Sequence, residues 1–310
     1  MLEAAQIIDG KKISAEIKEE LKKKISGFLT VSDGNKLDER FSRPPCLAVI
    51  LVGDDPASHY YVSSKEKSCE AVGIKSIKKI MAASISKEEL LQQIAEFNKD
   101  QGIDGILLQL PLPDHLREFT QDIVDSISVD KDVDGLTTAN LGRLLSNSKS
   151  AIHPCTPKGC MELLKRYGIK IEGKRVLVIG RSTLVGLPIS ILLNQANATV
   201  IMAHSRTANL AEECKNADII VAAIGKPNYI QGSWLKAGVV VIDVGINAVM
   251  QVQADGSELK KIVGDVDFKT ASEKASFITP VPGGVGLMTV AMLLSNTVDL
   301  YLRKIVYNLS

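Results

Sequence analysis

The first half of the chain alternates buried-strand patterns with amphipathic-helix patterns. Continuous apolar runs at Cys46–Val52 and Gly105–Leu110 predict strands that are buried on both faces, and a further strand is predicted near Ile77–Met81. Helical spacing of apolar residues fills the stretches before and between them: Lys11–Leu29, Ala57–Val72 and Lys87–Lys99. Strands that alternate with helices in this order predict a parallel sheet with right-handed crossovers.

The same alternation restarts near residue 151, after the interruption at His153–Pro157. A helix at Lys158–Tyr167 precedes four predicted strands: Arg175–Ile179, Thr199–Ala203, Asp218–Ile224 and Val239–Val244. No strand follows the last helical pattern, Leu287–Val306, which we expect to pack back across the first domain. The pattern therefore predicts an α/β protein of two parallel-sheet domains, residues 1–150 with 287–310 and residues 151–286, the second of the Rossmann type. The aperiodic stretch Thr30–Pro45 is predicted as a surface loop.

Composition narrows the class of protein. Of 310 residues, 37 are Lys or Arg and 36 are Asp or Glu, so the formal net charge is +1. This balance argues against a protein that coats nucleic acid or an anionic membrane, because both need a large basic surplus. No unbroken apolar run approaches the roughly 20 residues of a membrane span. The amino terminus lacks the pattern of a secretory signal, and the five cysteines form no C-x-x-C pair. We therefore expect a cytoplasmic protein.

A nucleotide-binding pattern begins the second half. The strand in VLVIG ends at Gly180, and Gly186 follows six residues later, where a helix begins. This resembles the Rossmann turn, in which glycines let a pyrophosphate approach the amino terminus of a helix. Ser182 replaces the middle glycine, so a purely structural strand-to-helix turn remains the alternative.

The end of the next strand indicates which dinucleotide binds. An NAD site usually carries a carboxylate there for the ribose 2′-hydroxyl, but this strand is followed by HSRT. Arg181 and Arg206 could together hold a 2′-phosphate, since guanidinium groups suit phosphate oxygens. The alternative is two solvated surface arginines. NADP is the predicted cofactor, in preference to NAD.

Polar residues follow the buried strands of the first half. In GDDPASHYYVSSKEKSC, Ser58 is the expected N-cap, and Tyr61 and Lys65 share one helical face. Gln109 ends the second apolar run, where a polar side chain needs a partner. Ligands of open α/β sheets bind at such strand ends. A packed ring beside a surface lysine is the plain alternative.

Two further segments are marked by their spacing. Asp130, Asp132 and Asp134 alternate before a glycine, as in a calcium loop, but the twelve-residue ligand set lacks its final Glu, so no metal is predicted. The segment PGGVG, at residues 282–286, precedes the final helix, where its glycines suit close approach to a flat or anionic ligand. A plain turn is the alternative.

These segments together resemble the bifunctional methylenetetrahydrofolate dehydrogenase/methenyltetrahydrofolate cyclohydrolase family over almost the whole chain. The resemblance rests on ordered motifs: IIDGK at 7–11, S-x-x-Y-V-x-x-K at 58–65, QLPLP at 109–113, DKDVDG at 130–135, GRS-x-x-VG-x-P at 180–188, DVGIN at 243–247 and PVPGGVG at 280–286. It implies two α/β domains that flank a cleft, a folate substrate, NADP as cofactor and a homodimer.

The resemblance also implies roles for individual residues. Lys65 would be the catalytic lysine, Tyr61 would lie against the folate ring, Gln109 would orient and tune Lys65, and Asp134 would accept hydrogen bonds from the pterin. The residues expected at the folate are Tyr61, Val62, Ser63, Ser64, Lys65, Leu108, Gln109, Leu110, Asp134, Pro282, Gly283, Gly284, Val285 and Gly286. Those expected at NADP are Gly180, Arg181, Ser182, Gly186, Ser205, Arg206 and Ile246.

The chain departs from the family pattern in two places. Leu287 stands where the family usually has proline, and the stretch Thr30–Pro45 looks longer than its usual counterpart. Neither departure touches a motif residue, so we expect both to affect loop details and not the activity.

The implied chemistry is hydride transfer from the methylene carbon of folate to the nicotinamide, followed by hydrolysis of the methenyl product to 10-formyltetrahydrofolate. We expect Lys65 to be largely neutral when it acts, so that it can deprotonate the attacking water. Three alternatives remain: a monofunctional dehydrogenase, a shikimate-type dehydrogenase and a non-catalytic nucleotide sensor on the same fold.

Overall fold

The computed structural model describes residues 5–30, 43–252 and 258–307. These residues divide into two compact units. The first unit comprises Ala15–Cys155 with Val290–Ser310, and the second comprises Met1–Ser14 with Thr156–Thr289. Part of the predicted loop Thr30–Pro45, residues 31–42, lies outside the described residues.

The helices and strands follow one another in the predicted α/β order. The helices are α1 (Gly10–Thr30), α2 (Pro56–Val72), α3 (Lys87–Lys99), α4 (Thr120–Asp125), α5 (Thr138–Leu145), α6 (Cys155–Arg166), α7 (Gly186–Gln195), α8 (Leu210–Asn216), α9 (Phe268–Ser272) and α10 (Val285–Tyr307). The strands are β1 (Gln6–Ile7), β2 (Cys46–Val52), β3 (Lys75–Met81), β4 (Gly105–Leu108), β5 (Arg175–Ile179), β6 (Thr199–Ala203), β7 (Ile219–Ala222), β8 (Val240–Asp243), β9 (Asn247–Val252), β10 (Glu258–Val263) and β11 (Phe277–Ile278).

The first unit is built on a parallel sheet with the strand order β3-β2-β4. All seven residues of β2 are buried, as its continuous apolar run predicts. β3 exposes Lys75, Lys78 and Lys79, which discourage pairing with a further strand.

The last helix belongs to the first unit from Val290 onward. The hydroxyl of Tyr301 donates to the carbonyl of Arg43 at 2.9 Å. Lys304 donates to Asp104 at 2.9 Å, and the same buried carboxylate accepts two hydrogen bonds from Arg43. These contacts satisfy a carboxylate that lies next to the first residue of β2.

The second unit is built on six parallel strands in the order β1-β11-β8-β7-β5-β6. The chain runs from β5 outward to β6 and then returns to continue through β7, β8 and β11. This is a doubly wound, Rossmann-type sheet, whose order reverses between β5 and β7. An apolar cluster that includes Leu177, Ile220 and Val241 fills its core.

Short or non-local elements differ from the sequence expectations. β1 pairs with β11, so the described residues 5–14 belong to the second unit, whereas the sequence assigned residues 1–150 to the first domain. Residues 287–289 belong to the second unit as well. The hairpin β9–β10 was not predicted. The N-cap of α2 is Asp55, followed by Pro56, so the prediction of Ser58 as the cap was wrong.

Within α10, Val285–Lys304 is long and apolar enough to cross a membrane by length and composition, with a mean hydropathy of 1.5. A count of unbroken apolar residues misses this stretch because polar residues interrupt it. Of its hydrophobic window, 61% is buried inside the protein. A buried core helix passes the same test, so the finding is weak support for a membrane span.

Candidate active site

Each unit has a point at which the order of its parallel strands reverses. In the first unit β4 lies on the opposite side of β2 from β3, and in the second unit β7 lies on the opposite side of β5 from β6. Ligands of open α/β sheets bind outside the carboxyl ends of the strands at such points. Lys65 lies on the helix after β2, Gln109 directly follows β4, and Gly180 directly follows β5.

Lys65 and Gln109 are in direct contact in the first unit. Nζ of Lys65 donates to Oε1 of Gln109 at 2.9 Å. The backbone of Gln109 remains attached to the sheet, since its N–H donates to the carbonyl of Ile50 at 2.9 Å. Nε2 of Gln109 donates to the carbonyl of Leu110 at 2.6 Å, which leaves the amide oxygen facing the lysine. Gln109 is therefore rigidly placed as an acceptor.

Tyr61 and Lys65 both lie on helix α2, which follows β2. Oδ2 of Asp55 accepts from the backbone N–H of Ser58 at 2.8 Å and from its hydroxyl at 2.7 Å, which caps the helix. Val62 is buried, whereas Tyr61 is 50% exposed and packs edge-to-face against Tyr60 with the ring centres 6.1 Å apart. The adjacent Ser63 and Ser64 are exposed, Leu108 is buried and Leu110 is partly buried.

The DKDVDG segment is organised by Asp132, which is buried. Its carboxylate accepts from the backbone N–H groups of Gly135 and Thr137, both at 2.9 Å, and from Nδ2 of Asn140 at 2.8 Å. These bonds close the turn in which Asp134 lies. Asp130, the first aspartate of the segment, differs from the buried Asp132: it is exposed and lies 3.4 Å from Arg143.

Asp134 lies in an environment that opposes its charge. Burial raises the pKa of Asp134 above its ordinary value of 3.8, and the nearby charge of Asp132 acts in the same direction. The positive charge of Lys65 and a hydrogen bond with Cys155 oppose that rise. The structure therefore brings together three of the predicted catalytic residues, Lys65, Gln109 and Asp134.

Asn296 supports this site and was not predicted. It is buried on α10, and Nδ2 donates to the carbonyl of Val133 at 2.8 Å and to that of His153 at 3.0 Å. The residue that precedes Asp134 is thereby fixed to the last helix. A single amide within the apolar pattern of that helix was the available signal, because a buried polar group needs partners.

A cavity of about 300 Å³ opens at the carboxyl ends of β5, β6 and β7 in the second unit. Four predicted cofactor residues line it: Gly180, Arg181, Ser182 and Ser205. Sequence reasoning missed four polar or aromatic lining residues, His204, Thr207, Lys226 and Tyr229. Nζ of Lys226 lies 5.0 Å from the centre of the Tyr229 ring, which is a cation–π distance.

The turn from β5 to α7, whose first residue Gly180 lines the cavity, admits only glycine at two positions. Gly180 has φ = 131°, and a Cβ there would overlap the carbonyl of Ala223. A Cβ on Gly186 would overlap the carbonyl of Gly180. Ser182 occupies the place of the middle glycine, where its hydroxyl accepts from the N–H of Val185 at 3.2 Å. Both glycines are therefore required by the close packing of the turn's own backbone.

Three predicted cofactor residues do not line the cavity: Gly186, which begins α7, and Arg206 and Ile246. Arg206 is exposed in the turn after β6, where its N–H donates to Nδ1 of His204 at 3.1 Å. Ile246 is 57% exposed, and its Cδ1 atom lies 3.2 Å from the position of a Cβ on Gly286. Ile246 is therefore beside the glycine-rich loop.

The loop Pro282–Gly286 belongs to the second unit and is braced by the IIDGK motif. The N–H of Lys11 donates to the carbonyl of Gly283 at 3.1 Å, and a Cβ on Gly10 would overlap the carbonyl of Gly284. Gly284 and Val285 are buried, whereas Pro282 and Gly286 are exposed. In the part of the chain that the structure describes, no cluster of three or more His, Cys, Asp or Glu side chains could hold a metal ion.

Two family models match the chain. The catalytic domain of tetrahydrofolate dehydrogenase/cyclohydrolase matches residues 8–134, and the NAD(P)-binding domain of the same family matches residues 154–305. The first covers Lys65, Gln109 and Asp134, and the second covers the Gly180 cavity.

Curated relatives agree over nearly the full chain. A bifunctional protein FolD from Moorella thermoacetica is 50% identical over 295 residues, which are 95% of this chain and 98% of that protein. A bifunctional protein FolD from Campylobacter hominis is 52% identical over 293 residues, which are 94% of this chain and 96% of that protein.

Solved structures share the fold. The bifunctional methylenetetrahydrofolate dehydrogenase/cyclohydrolase FolD from Campylobacter jejuni superposes with a TM-score of 0.87 at 46% identity, covering 97% of this chain and 100% of that one. The Trypanosoma brucei enzyme, solved with NADP and an inhibitor, superposes with a TM-score of 0.88 at 36% identity and covers 98% of this chain and 99% of that one.

Proposed function

The chain belongs to the tetrahydrofolate dehydrogenase/cyclohydrolase family, and we propose that Lys65 serves both of its chemical steps. The protein is a bifunctional, NADP-dependent enzyme of one-carbon metabolism, which oxidises methylenetetrahydrofolate to the methenyl compound and hydrolyses that to 10-formyltetrahydrofolate. The observation that carries the proposal is the hydrogen bond from Lys65 to Gln109.

The residues of the second unit fit NADP. The glycine turn from Gly180 to Gly186 suits the pyrophosphate, and Ser182 and Ser205 offer hydroxyl donors in the cavity. Arg181 lines the cavity and takes the 2′-phosphate, and the exposed Arg206 follows Ser205, which also lines it. Bound NADP supplies the hydride acceptor.

Gln109 prepares Lys65 to act as a base. An amide oxygen accepts an N–H of the lysine without adding the negative charge that a carboxylate would bring, so it orients the amine and stabilises the ammonium form less than a carboxylate would. The lone pair of the neutral amine then points away from Gln109 and can take a proton from the water that attacks the methenyl carbon. A neutral lysine also avoids repelling the positive charge that forms in the first step.

Asp134 and Tyr61 hold the substrate. Burial deprives the carboxylate of water and raises the pKa of Asp134, so N–H donors from a pterin ring would be strongly favoured partners. The half-exposed ring of Tyr61, one helical turn from Lys65, offers a flat apolar face for stacking. We assign the exposed part of Pro282–Gly286 to the folate as well.

The two activities are tested together in one coupled assay of purified protein with methylenetetrahydrofolate and NADP or NAD. Absorbance follows the reduced cofactor and the methenyl compound separately. We expect reduced NADP to form without accumulation of the methenyl compound. Accumulation would identify a monofunctional dehydrogenase, and the absence of turnover with either cofactor would leave a binding protein.

We also propose a homodimer that forms through the hairpin β9–β10. A two-stranded sheet is marginally stable alone, and this one exposes 59% of Met250 on one face and 54% of Leu259 on the other, since Met250 pairs with Lys260. Sedimentation equilibrium should give twice the chain mass for the natural protein and the chain mass for Met250→Lys combined with Leu259→Lys. A dimer of the double variant would exclude the hairpin.

We further propose a cytoplasmic location. All five cysteines are buried thiols, which suits a reducing compartment. Fractionation of cells with an antibody against the protein tests this, and recovery in the membrane pellet would contradict it.

A further inference from the structure

Two buried carboxylates lie next to the loops that border the Gly180 cavity, and the function described above uses neither. Asp243 ends β8, and Asp265 follows β10. Oδ1 of Asp243 accepts from the backbone N–H of Gly245 and of Asp265, both at 2.9 Å, and its Oδ2 accepts from Val266 at 3.0 Å. Asp243 therefore fixes the backbone on which Asp265 is carried.

Asp265 in turn holds the loop after β7. Its Oδ2 accepts from the N–H groups of Ile224 at 2.7 Å and Gly225 at 3.0 Å, and its Oδ1 accepts from Lys226 at 3.0 Å. Ile224 and Lys226 line the Gly180 cavity. Three consecutive N–H groups that converge on one buried carboxylate determine the path of this loop.

The same carboxylate reaches the loop after β8. Oδ1 of Asp265 accepts from Nδ2 of Asn247 at 2.9 Å, and a Cβ on Gly245 would overlap that oxygen. Between Gly245 and Asn247 lies Ile246, whose side chain points to the glycine-rich loop at Gly286. One side chain thus connects the two segments that follow adjacent strands at the cofactor edge of the sheet.

We propose that Asp265 is a positioning residue for NADP: its carboxylate holds the loops after β7 and β8 in the arrangement that the cofactor needs. The proposal rests on the assignment of the Gly180 cavity to NADP. Asp265 does not touch the cofactor, and it acts through the backbone of Ile224–Lys226 and through Asn247.

Asp265→Asn is the informative substitution. Whichever way the amide is turned, its NH₂ group faces two N–H donors that have lost their acceptor. Removal of a negative charge near an anionic cofactor would by itself strengthen binding, so a weaker affinity has to come from the loops. The matched control is Asp267→Asn. Asp267 is the N-cap of α9 and lies two residues after Asp265, so the control removes the same charge nearby.

The experiment measures the Kd of NADPH by fluorescence titration and, separately, the kcat/KM for hydrolysis of the methenyl compound without cofactor. For Asp265→Asn we expect the Kd of NADPH to rise at least about tenfold while the kcat/KM of hydrolysis stays within about twofold. Asp267→Asn should leave both within about twofold. An unchanged Kd, an equal loss of hydrolysis, or the same loss in the control would overturn the proposal.

Two further outcomes remain informative. If Asp265→Asn does not fold by circular dichroism, Asn247→Ala removes a single donor and should raise the Kd of NADPH by roughly two- to fivefold, at the energy of one hydrogen bond. An unchanged Kd in that variant would overturn the proposal. Failure of the natural protein to bind NADPH would instead refute the assignment of the cavity.

Discussion

Lys65 and Gln109 are 44 residues apart in the chain, yet Nζ of the lysine lies 2.9 Å from Oε1 of the glutamine. The contact follows from the sheet order, because β2 and β4 are neighbours and each residue follows one of them. The amide is locked by its own bond to the carbonyl of Leu110. The contact between the lysine and the amide is therefore set by the sheet, before any substrate binds.

Gln109→Glu should lower the cyclohydrolase rate at neutral pH by about 100-fold, the size of a general-base contribution. A carboxylate beside the amine stabilises the ammonium form, so the rate profile should also move to higher pH. Cyclohydrolase rates from pH 6 to 10 for this variant and for Gln101→Glu, an exposed control, test both the lower rate and the shifted profile. A profile that coincides with that of the natural protein would contradict the role of Gln109.

Asp134→Asn should change the pH dependence of stability and, separately, the affinity for folate. Because burial raises the pKa of Asp134 above 3.8, its contribution to stability is complete below about pH 4 and declines as pH rises through the raised value. The variant stays neutral, so its Tm relative to the natural protein should rise between pH 4 and pH 8.

Folate affinity of Asp134→Asn should fall by about tenfold or more, since the charged acceptor is lost. Calorimetry and thermal melts at several pH values measure both effects. The control is Asp130→Asn, which changes an exposed carboxylate of the same motif. A Tm difference that is independent of pH would refute the electrostatic part of the prediction.

Arg181→Ala should weaken NADP binding by about 10- to 100-fold, the value of a hydrogen bond between charged groups, and should weaken NAD binding much less. Arg206→Ala should cost less, because Arg206 is exposed and does not line the cavity. Dissociation constants for both cofactors test this. Equal losses for NADP and NAD would argue against a 2′-phosphate role.

Gly10→Ala should destabilise the protein by about 2 kcal/mol and raise the KM for folate, because a Cβ there displaces the carbonyl of Gly284. The matched control on the same helix is Gly27→Ala, where no atom lies within 4 Å of the new Cβ. That change should stabilise by roughly 0.5–1 kcal/mol. Urea unfolding of both variants gives the comparison, and equal effects would contradict the close packing at Gly10.

The spacing of apolar residues predicts the bounds of a helix or strand correctly where those bounds depend only on its own residues. Cys46–Val52, Lys87–Lys99 and Arg175–Ile179 have the predicted bounds, since a buried strand or an amphipathic helix is encoded locally. β1 and β11 have two residues each and are defined by pairing with distant strands, β1 with β11 and β11 with β8, so no local pattern predicts them.

The candidate site divides in the same way. Lys65 and Gln109 were predicted because they follow recognisable strands, and the turn at Gly180 because its glycines have a characteristic spacing. Asn296 and Asp265 were not, since each acts through backbone groups that are distant in the chain. A carboxylate that accepts N–H bonds from another loop has no signature in its own neighbourhood.

The most direct test of the central claim is the hydrolysis of the methenyl compound, without cofactor, by Lys65→Met and by the control Lys67→Met, which changes an exposed lysine of the same helix. If Lys65 is the base, its variant should lose the activity by at least about 100-fold, and hydride transfer should be strongly impaired as well, while the control keeps both. Full cyclohydrolase activity in Lys65→Met would contradict the assignment.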